Sequence, residues 1–569
     1  MATEGTLSSA TDRTAWALAA STMVMLLVGL GAADIVGDDE AREVGLMMDV
    51  ARGHVLWPRF NEQLLLDKPP LFHWIGGALI WLFGFSELVC RLPAAVCTAV
   101  LVGVTAHAGR ALLGARAGFA AGLLLAATAS LASHGRTARP DTLVLLLHTL
   151  AMLAAYRWWH GHSRRAAVAV LVWVGLAVLA KGPVSPLLML AALVPFLVWN
   201  ADLGRLRELA TPAGTAALLV LGGGWYAAAL WGWGWPFVEQ HLLGRYVGNL
   251  MGGLAEGEPY SADSLLYHLT FYPLHLPGVL MPWTPFAAIA CWTLWRPRST
   301  RDPRVRFLLC WALAPVLLFT PAEYKLRYYL LPALPPLALF TAPVVAQLAE
   351  RITQPLRVTR QGMLIAAVSA LALVTMTAIV LHDPTRLSNS DQMRLGALLS
   401  IVPGGSTGFV VLVGIVAGVL AGVVACRAWI LLPPLVIGAG LIWSLIGLPA
   451  LEQATSTLGS LRPFAVVIAQ HVDRTGPLAS YGPTPRSLVV YLDRTIPSLR
   501  RDPAAVAPGL ALLASPRAHA RLSARGVVGA PIAMGSGRIE NLRERRLILC
   551  RGLARRAESA ASTAPADSR

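Results

Sequence analysis

Asp38-Asp39-Glu40-Ala41-Arg42-Glu43 and Asp67-Lys68-Pro69-Pro70-Leu71-Phe72-His73-Trp74 bound the stretch in which this chain leaves apolar sequence and gathers charge. Apolar runs flank it on both sides. Ionisable groups at a membrane edge are costly unless they are solvated or used, so these residues are functional candidates by default. A solvated external loop is the plain alternative for the acidic cluster taken alone.

Outward from this stretch the chain is overwhelmingly apolar. Hydrophobic residues make up 56% of the 569 and charged residues 14%, with a mean hydropathy of +0.59. A soluble domain cannot bury that much apolar surface, so the composition describes a polytopic membrane protein. The net charge of +16 does not indicate nucleic acid, because the basic residues fall in short clusters between apolar runs. That is the pattern of cytoplasmic loops facing anionic headgroups. The cysteines, Cys90, Cys97, Cys291, Cys310, Cys426 and Cys550, lie in or beside apolar segments without metal-ligand spacing and read as small core residues.

Runs long enough to cross ~30 Å of hydrocarbon, at roughly 20 residues each, fall near 14–33, 91–111, 116–133, 140–159, 166–181, 184–199, 211–231, 276–295, 305–321, 326–347, 362–381, 407–426 and 429–448. The expected fold is therefore a mostly α polytopic helical bundle. The first run is read as an uncleaved helix, since no small-residue cleavage site precedes the acidic loop. The shorter run 71–85, between Pro70 and Glu87, is expected to lie at the membrane surface. Arg110 and Arg116, Arg157 to Arg165, Arg205 and Arg207, Arg296 to Arg306, and Arg351 to Arg360 fall in alternate loops and mark the cytoplasmic side. The acidic loop, His134–Asp141, the Lys181-Gly182-Pro183 turn, loop 232–275 and Glu323–Tyr329 then all emerge on the opposite face. Other residues fixed that topology, so one external site built from these segments is the economical reading.

Beyond residue 450 the pattern changes. Leu461–Val472 reads as an amphipathic helix. Leu478–Tyr481, Leu488–Leu492, Leu510–Ala514, Val527–Met534 and Arg546–Cys550 are short apolar runs bounded by Gly, Pro and Asp, fitting strands alternating with helices. The expected organisation is a transmembrane domain over 1–450 with external loops 34–90 and 232–275, a small external α/β domain over 451–552, and a disordered Ala/Ser/Thr-rich tail over 553–569.

The Asp39-Glu40-Ala41-Arg42 element, followed by Asp67-Lys68-Pro69-Pro70-Leu71-x-x-Trp74, resembles the first external loop of GT-C superfamily glycosyltransferases that use polyprenyl-phosphate sugars. The aminoarabinose (lipid A) transferases and the protein O-mannosyltransferase-like proteins are the nearest in pattern. The resemblance implies that Asp39 is catalytic, a general base on an acceptor hydroxyl, with Asp38 in reserve if the register is one residue off. It implies that Lys68 neutralises the departing phosphate, where a snorkelling lysine is the structural alternative. Arg139-Pro140-Asp141 matches the second acidic position of the family. On its own Pro140-Asp141 reads as a helix start, with the acid favoured by the dipole. Lys181-Gly182-Pro183-Val184 and Lys325-Leu326-Arg327-Tyr328-Tyr329 resemble two further family elements.

The resemblance thus implies Asp39 and Asp141 as catalytic, Lys68, Arg139, Lys181 and Lys325 at the donor phosphate, and Glu40, Arg42, Asp67, Arg245 and Tyr329 at substrate. His241 to Tyr246, Pro259-Tyr260 and Pro282-Trp283 look like the family's large external loop, although interfacial aromatic belts would look similar. The implied partners are a polyprenyl-phosphate-linked sugar donor, a lipid or protein acceptor and the inner membrane of a bacterium, without nucleic acid. No nucleotide-sugar motif or phosphate-binding glycine loop occurs, and no nucleotide or organic cofactor is expected. Asp38, Asp39, Glu40, Asp67 and His73 have the chemistry to hold a divalent cation, but their spacing is not diagnostic. A polytopic lipid or solute transporter is the rival reading. It would place ionisable groups near mid-membrane in two related halves, whereas here they cluster at one face. A non-catalytic lipid-binding relative is a third reading.

The topology is directly testable. Reporters active only outside the cytoplasm should score positive when fused near His54, Arg139, Leu254 and Tyr491 and negative near Ser163 and Thr300. A cytoplasmic signal at His54 would dismantle the external site.

Overall fold

The computed structural model describes residues 2–65, 68–247, 265–294, 299–323, 325–350, 395–396, 398–400, 432–499, 501–538 and 544–553. Asp67, the Pro259-Tyr260 pair, the expected spans 362–381 and 407–426 and the tail beyond 553 lie outside the described residues. For Arg245 only the backbone is described. The chain divides into two compact units, one of Met1–Ala33 and Leu46–Ala454, the other of Asp34–Gly45 and Thr455–Arg569.

The first unit is a bundle of apolar helices, as expected of a multi-pass membrane protein. Among the described residues five helices are long and apolar enough to cross a membrane, or up to seven if each of two bent pairs is one span. In chain order the unit contains α1 (Ala2–Leu27), the second half of α2 (Asp38–Ala51), a small hairpin of β1 (Arg59–Phe60) and β2 (Gln63–Leu64), and α3 (Leu71–Phe83). Then come α4 (Glu87–Leu113), α5 (Ala115–Ala126), α6 (Ala129–Gly135), α7 (Asp141–Gly161), α8 (Arg164–Lys181) and α9 (Val184–Trp199), followed by further helices to Ala454. Helix α4 packs on α1 and α5, and α7 on α8.

Two expected spans are not continuous. The run 116–133 is broken into α5 and α6, bent by 64°. The run 276–295 is split between the helices Leu265–Val279 and Thr284–Thr293, bent by 118°. Prolines 277, 282 and 285 around the second break remove backbone donors and forbid a regular helix there. Broken backbone is tolerated at membrane depth only where protein satisfies it, and here each break satisfies the other. The Trp283 indole donates to Thr128 Oγ1 at 2.8 Å, Ser130 Oγ donates to Val279 O at 2.7 Å, and Ala129 N donates to Met281 O at 3.2 Å.

The C-terminal end of α1 leaves carbonyls without intrahelical partners, and two buried arginines supply them. Arg91 donates to Leu30 O at 3.0 Å and Ala33 O at 2.7 Å. Arg136 donates to Leu26 O at 2.7 Å and Val28 O at 2.8 Å. The Arg136 fork also grips Glu452 at 2.8–3.0 Å. Helix α3 reaches α2 through Gly76 and Gly77. A Cβ at either would come within 2.4 Å of Met47 Sδ or 2.5 Å of Val50 Cγ1, so larger residues would force the helices apart.

The second unit holds a four-stranded mixed sheet in the order β3-β4-β6-β5, formed by Leu478–Tyr481, Ala511–Ala514, Glu544–Arg551 and Ala533–Arg538 respectively. Strands β3 and β4 run parallel, and β4–β6 and β5–β6 antiparallel. Side chains alternate across the sheet. Leu513, Leu547 and Leu549 join Phe464 and Ile468 of the helix Arg462–His471 on one face, while Leu512, Ile548 and Cys550 join Leu522 of the helix Pro516–Ala524 on the other. With both faces covered, all of β4 is buried. The run Leu488–Leu492 forms the helix Arg486–Leu492 instead of a strand; a five-residue apolar run does not separate the two by periodicity. Asp34 ties the start of the acidic stretch into this unit, accepting from Ser460 Oγ at 2.7 Å and Arg462 at 3.0 Å.

Arg136 is the test of this framework, because its removal strands both a carboxylate and helix-end carbonyls. Arg136→Gln should cost on the order of 3 kcal/mol, read as a lowered thermal midpoint in detergent. Glu452→Gln added to it should cost less than the same change in the wild type. An unshifted midpoint would mean that the end of α1 is held by other contacts.

Candidate active site

Helices α7 and α8 are an antiparallel pair joined through His162 and Ser163. Their 21 and 18 residues return the chain to about the level at which it started, at ~1.5 Å per residue. The first residue of α7 therefore meets the last residue of α8, and these are Asp141 and Lys181, which form an ion pair. The acid sits at a helix N-terminus and the base at a C-terminus, so both dipoles favour the arrangement. Arg139, two residues before α7, closes on the other carboxylate oxygen at 3.2 Å.

A short 3₁₀ element completes the cluster. The 3₁₀ segment Arg327–Ala333 brings the Tyr328 ring to 4.7 Å from the Arg139 guanidinium carbon and 5.4 Å from Lys181 Nζ, within cation–π range. His134, its Nδ1 donating to Ser130 O at 2.8 Å, lies 5.7 Å from the same ring. Asp141 is 5% exposed, while Arg139 and Lys181 keep 20% and 27%. The carboxylate is thus enclosed and its two cations are partly open. Two partly exposed cations held beside one enclosed carboxylate are donors suited to an anion.

The Lys68 segment is brought to the same end of α8. Leu71 and Trp74, just after Lys68, pack in one aromatic cluster with Leu179, two residues before Lys181, and with Trp57 and Trp225. Trp74 Nε1 donates to Val55 O at 2.7 Å and Trp225 Nε1 to Leu56 O at 3.3 Å, which fixes the loop ahead of the β1–β2 hairpin. Asp49 fixes its base, accepting from Arg59 N at 2.6 Å and pairing with His54 at 2.9 Å. Lys68 itself is half-buried and precedes the buried Pro69 and Pro70.

The other expected residues are placed as follows. Lys325 directs its ammonium at the carbonyls of Phe319 (3.3 Å), Thr320 and Ala322 (2.6 Å), capping the end of the helix Pro303–Phe319, and sits 5.5 Å from the Tyr272 ring. Burial lowers its pKa, opposed by Glu323. Tyr329 packs on Phe319, ring centroids 4.6 Å apart, so it is Tyr328 that faces the cations. The side-by-side tyrosines signal a site in the sequence, but choosing between them needs the 3₁₀ register. Arg245 lies in the π-helical stretch Val238–Val247, where His241 is fully buried against Tyr226 OH at 3.1 Å.

In the second unit, Asp38, Asp39 and Glu40 occupy the first turn of α2, where the helix dipole favours acids. Asp39 is exposed and Glu40 buried. Arg42 pairs with Glu43 at 3.3 Å, and Glu43 is 1% exposed. Among the described residues no group of three or more His, Cys, Asp or Glu side chains is arranged to hold a metal ion.

Known proteins share this architecture. Residues 67–225 match the family model described as dolichyl-phosphate-mannose-protein mannosyltransferase. The undecaprenyl phosphate-alpha-4-amino-4-deoxy-L-arabinose arabinosyl transferase of Aeromonas salmonicida (strain A449) is 24% identical over 446 residues, 76% of this chain and 77% of that protein. Its namesake from Yersinia pestis (strain Pestoides F) is 24% identical over 389 residues, 66% of this chain and 67% of that protein. Two crystal structures of ArnT from Cupriavidus metallidurans share the fold at 19% identity. The one bound to undecaprenyl phosphate has a TM-score of 0.72, covering 94% of this chain and 97% of that one. The apo structure has a TM-score of 0.71, covering 94% and 96%. The resemblance read from the acidic loop and the Lys-Pro-Pro element therefore extends along the chain, which is similar to these transferases in sequence and shares the fold of ArnT.

Proposed function

We propose that this protein moves a sugar from a polyprenyl-phosphate carrier to a lipid, of lipid A type, or to a protein acceptor, at the external face of a bacterial inner membrane and with inversion at the anomeric carbon. The observation that carries the reading is the pair of partly open cations, Arg139 and Lys181, held around Asp141 beneath Tyr328. A phosphate in a low-dielectric surrounding requires such a fixed positive end. The names of the Aeromonas and Yersinia relatives, and the carrier bound in the Cupriavidus structure, support the same donor chemistry. Nothing in these relatives supports a transporter.

The reaction is a single displacement. The acceptor oxygen bonds to the anomeric carbon as the bond from that carbon to the phosphate oxygen breaks, its electron pair staying on the phosphate. The acceptor proton passes to a carboxylate, for which the sequence motif supports Asp39. Lys68, Arg139 and Lys181 offset the charge that builds on the departing carrier, and Asp141 holds the last two in place. Lys325 and Tyr329, committed to a helix end and to Phe319, shape the wall from which Tyr328 projects. Glu40, Arg42, Asp67 and Arg245 are assigned to substrate by their motif positions. About thirteen spans, including 362–381 and 407–426, complete the membrane domain of residues 1–450, and residues 451–552 form a small α/β domain on the external side.

The test is single-turnover transfer by purified protein supplied with an undecaprenyl-phosphate-linked sugar and extracted glycolipid or envelope protein, followed by mass spectrometry. Asp39→Asn should abolish transfer while leaving the protein folded. Lys68→Ala should slow it on the order of 100-fold and weaken carrier binding. Lys68→Arg should recover part of the loss, because a planar fork does not reproduce a compact ammonium. Near-normal turnover in Asp39→Asn would remove that residue from the chemistry. Lipid movement across vesicles without sugar transfer would replace the enzyme by a transporter.

A further inference from the structure

The residues between Ala33 and the start of α2 form neither helix nor strand, yet their backbone is held by side chains 422 and 456 positions further along the chain. The Asp34 N–H donates to Ser456 Oγ at 2.9 Å, and the Ile35 N–H to Tyr491 Oη at 2.6 Å. The Asp34 carboxylate accepts from Ser460 Oγ at 2.7 Å and from Arg462 Nη1 at 3.0 Å. All of these residues belong to the second unit.

Burial decides which of the contacts matters. Arg462 keeps 54% of its side chain exposed, and an ion pair so open to water contributes little. Ile35 and Ser456 are buried, at 0% and 4% exposure. A backbone N–H left unpaired there would bear its full desolvation penalty, so the two hydroxyl acceptors hold the segment. The Tyr491 ring is fixed in its turn. It stands on the helix Arg486–Leu492, packs against the cluster that contains Phe464 and Ile468, and lies 5.6 Å from the Arg462 guanidinium carbon.

Helix α2 starts directly from this tethered backbone, Ala41 N donating to Gly37 O at 2.9 Å. Glu40, Ala41, Glu43 and Val44 are buried, while Asp39 is exposed in the first turn. Helix ends fray, and a general base must stay within hydrogen-bond reach of the proton it takes. A displacement of about 1 Å is enough to cost ~100-fold in rate. We infer that Tyr491, supported by Ser456, is a positioning residue for Asp39: through the Ile35 amide, the α/β part of the second unit sets where the acid stands. The inference rests on the assignment of Asp39 as the base of the proposed reaction.

The test is Tyr491→Phe in the full-length purified protein, which removes the acceptor and keeps the ring. Hydrogen–deuterium exchange over residues 34–45 should quicken on the order of tenfold, with exchange in β3 and β4 unchanged. Single-turnover transfer from an undecaprenyl-phosphate-linked sugar should slow on the order of tenfold, while undecaprenyl phosphate binds as it does to the wild type. Ser456→Ala should repeat this pattern and serves if Tyr491→Phe does not fold. Equal loss of binding and transfer would reduce Tyr491 to a structural role and overturn the inference. Undiminished transfer in both variants, or unchanged exchange in both, would overturn it while leaving Asp39 as the base. Near-normal transfer by Asp39→Asn would instead strike the acid's own role, and the inference with it.

Discussion

The first unit depends on the compensation of charge around Asp141. A lone carboxylate or ammonium buried among apolar helices would be driven to its neutral form or out of the structure. Here one carboxylate is shared by Arg139 and Lys181, with a helix N-terminus behind the acid and a helix C-terminus behind the base. The ion pair closes the α7–α8 hairpin and fixes where the two cations point. An acid clamped in this way is held in one orientation by both of its neighbours. In the proposed reaction its part is positional.

Around this cluster the backbone is irregular, and the irregularity has partners. The breaks between α5 and α6 and around Pro282 are stitched to each other through Trp283, Thr128, Ser130 and Ala129. The end of α1 is held by Arg91 and Arg136. These interactions place helix ends, with their exposed backbone dipoles and chain reversals, at the level where Arg139, Lys181 and Tyr328 converge. A bundle of uninterrupted spans would have presented smooth apolar surface there.

Much of this was legible in the sequence, for definite reasons. Composition alone required a polytopic protein, and the alternation of arginine clusters gathered Asp141, Lys181 and the 323–329 segment on one face before any contact was known. Helix ends such as Asp141 and Lys181 were marked by Pro140 and Gly182. Interactions between residues distant in the chain were not legible. Arg136 falls within the His134–Asp141 segment, yet it grips Glu452, which is 316 residues away. The two interlocked breaks looked like ordinary spans, because hydropathy measures apolarity and is blind to where a helix bends. Tyr328 and Tyr329 are equivalent to any pattern, and the 3₁₀ turn decides which one meets the cations.

If the cations around Asp141 hold the carrier phosphate, as proposed, equilibrium binding of undecaprenyl phosphate to purified protein depends on them. Arg139→Gln and Lys181→Gln should each weaken binding on the order of tenfold, while Asp39→Asn, which leaves the cations in place, should bind as the wild type does. Wild-type affinity in both cation variants, with the protein folded, would mean that Arg139 and Lys181 do not hold the phosphate.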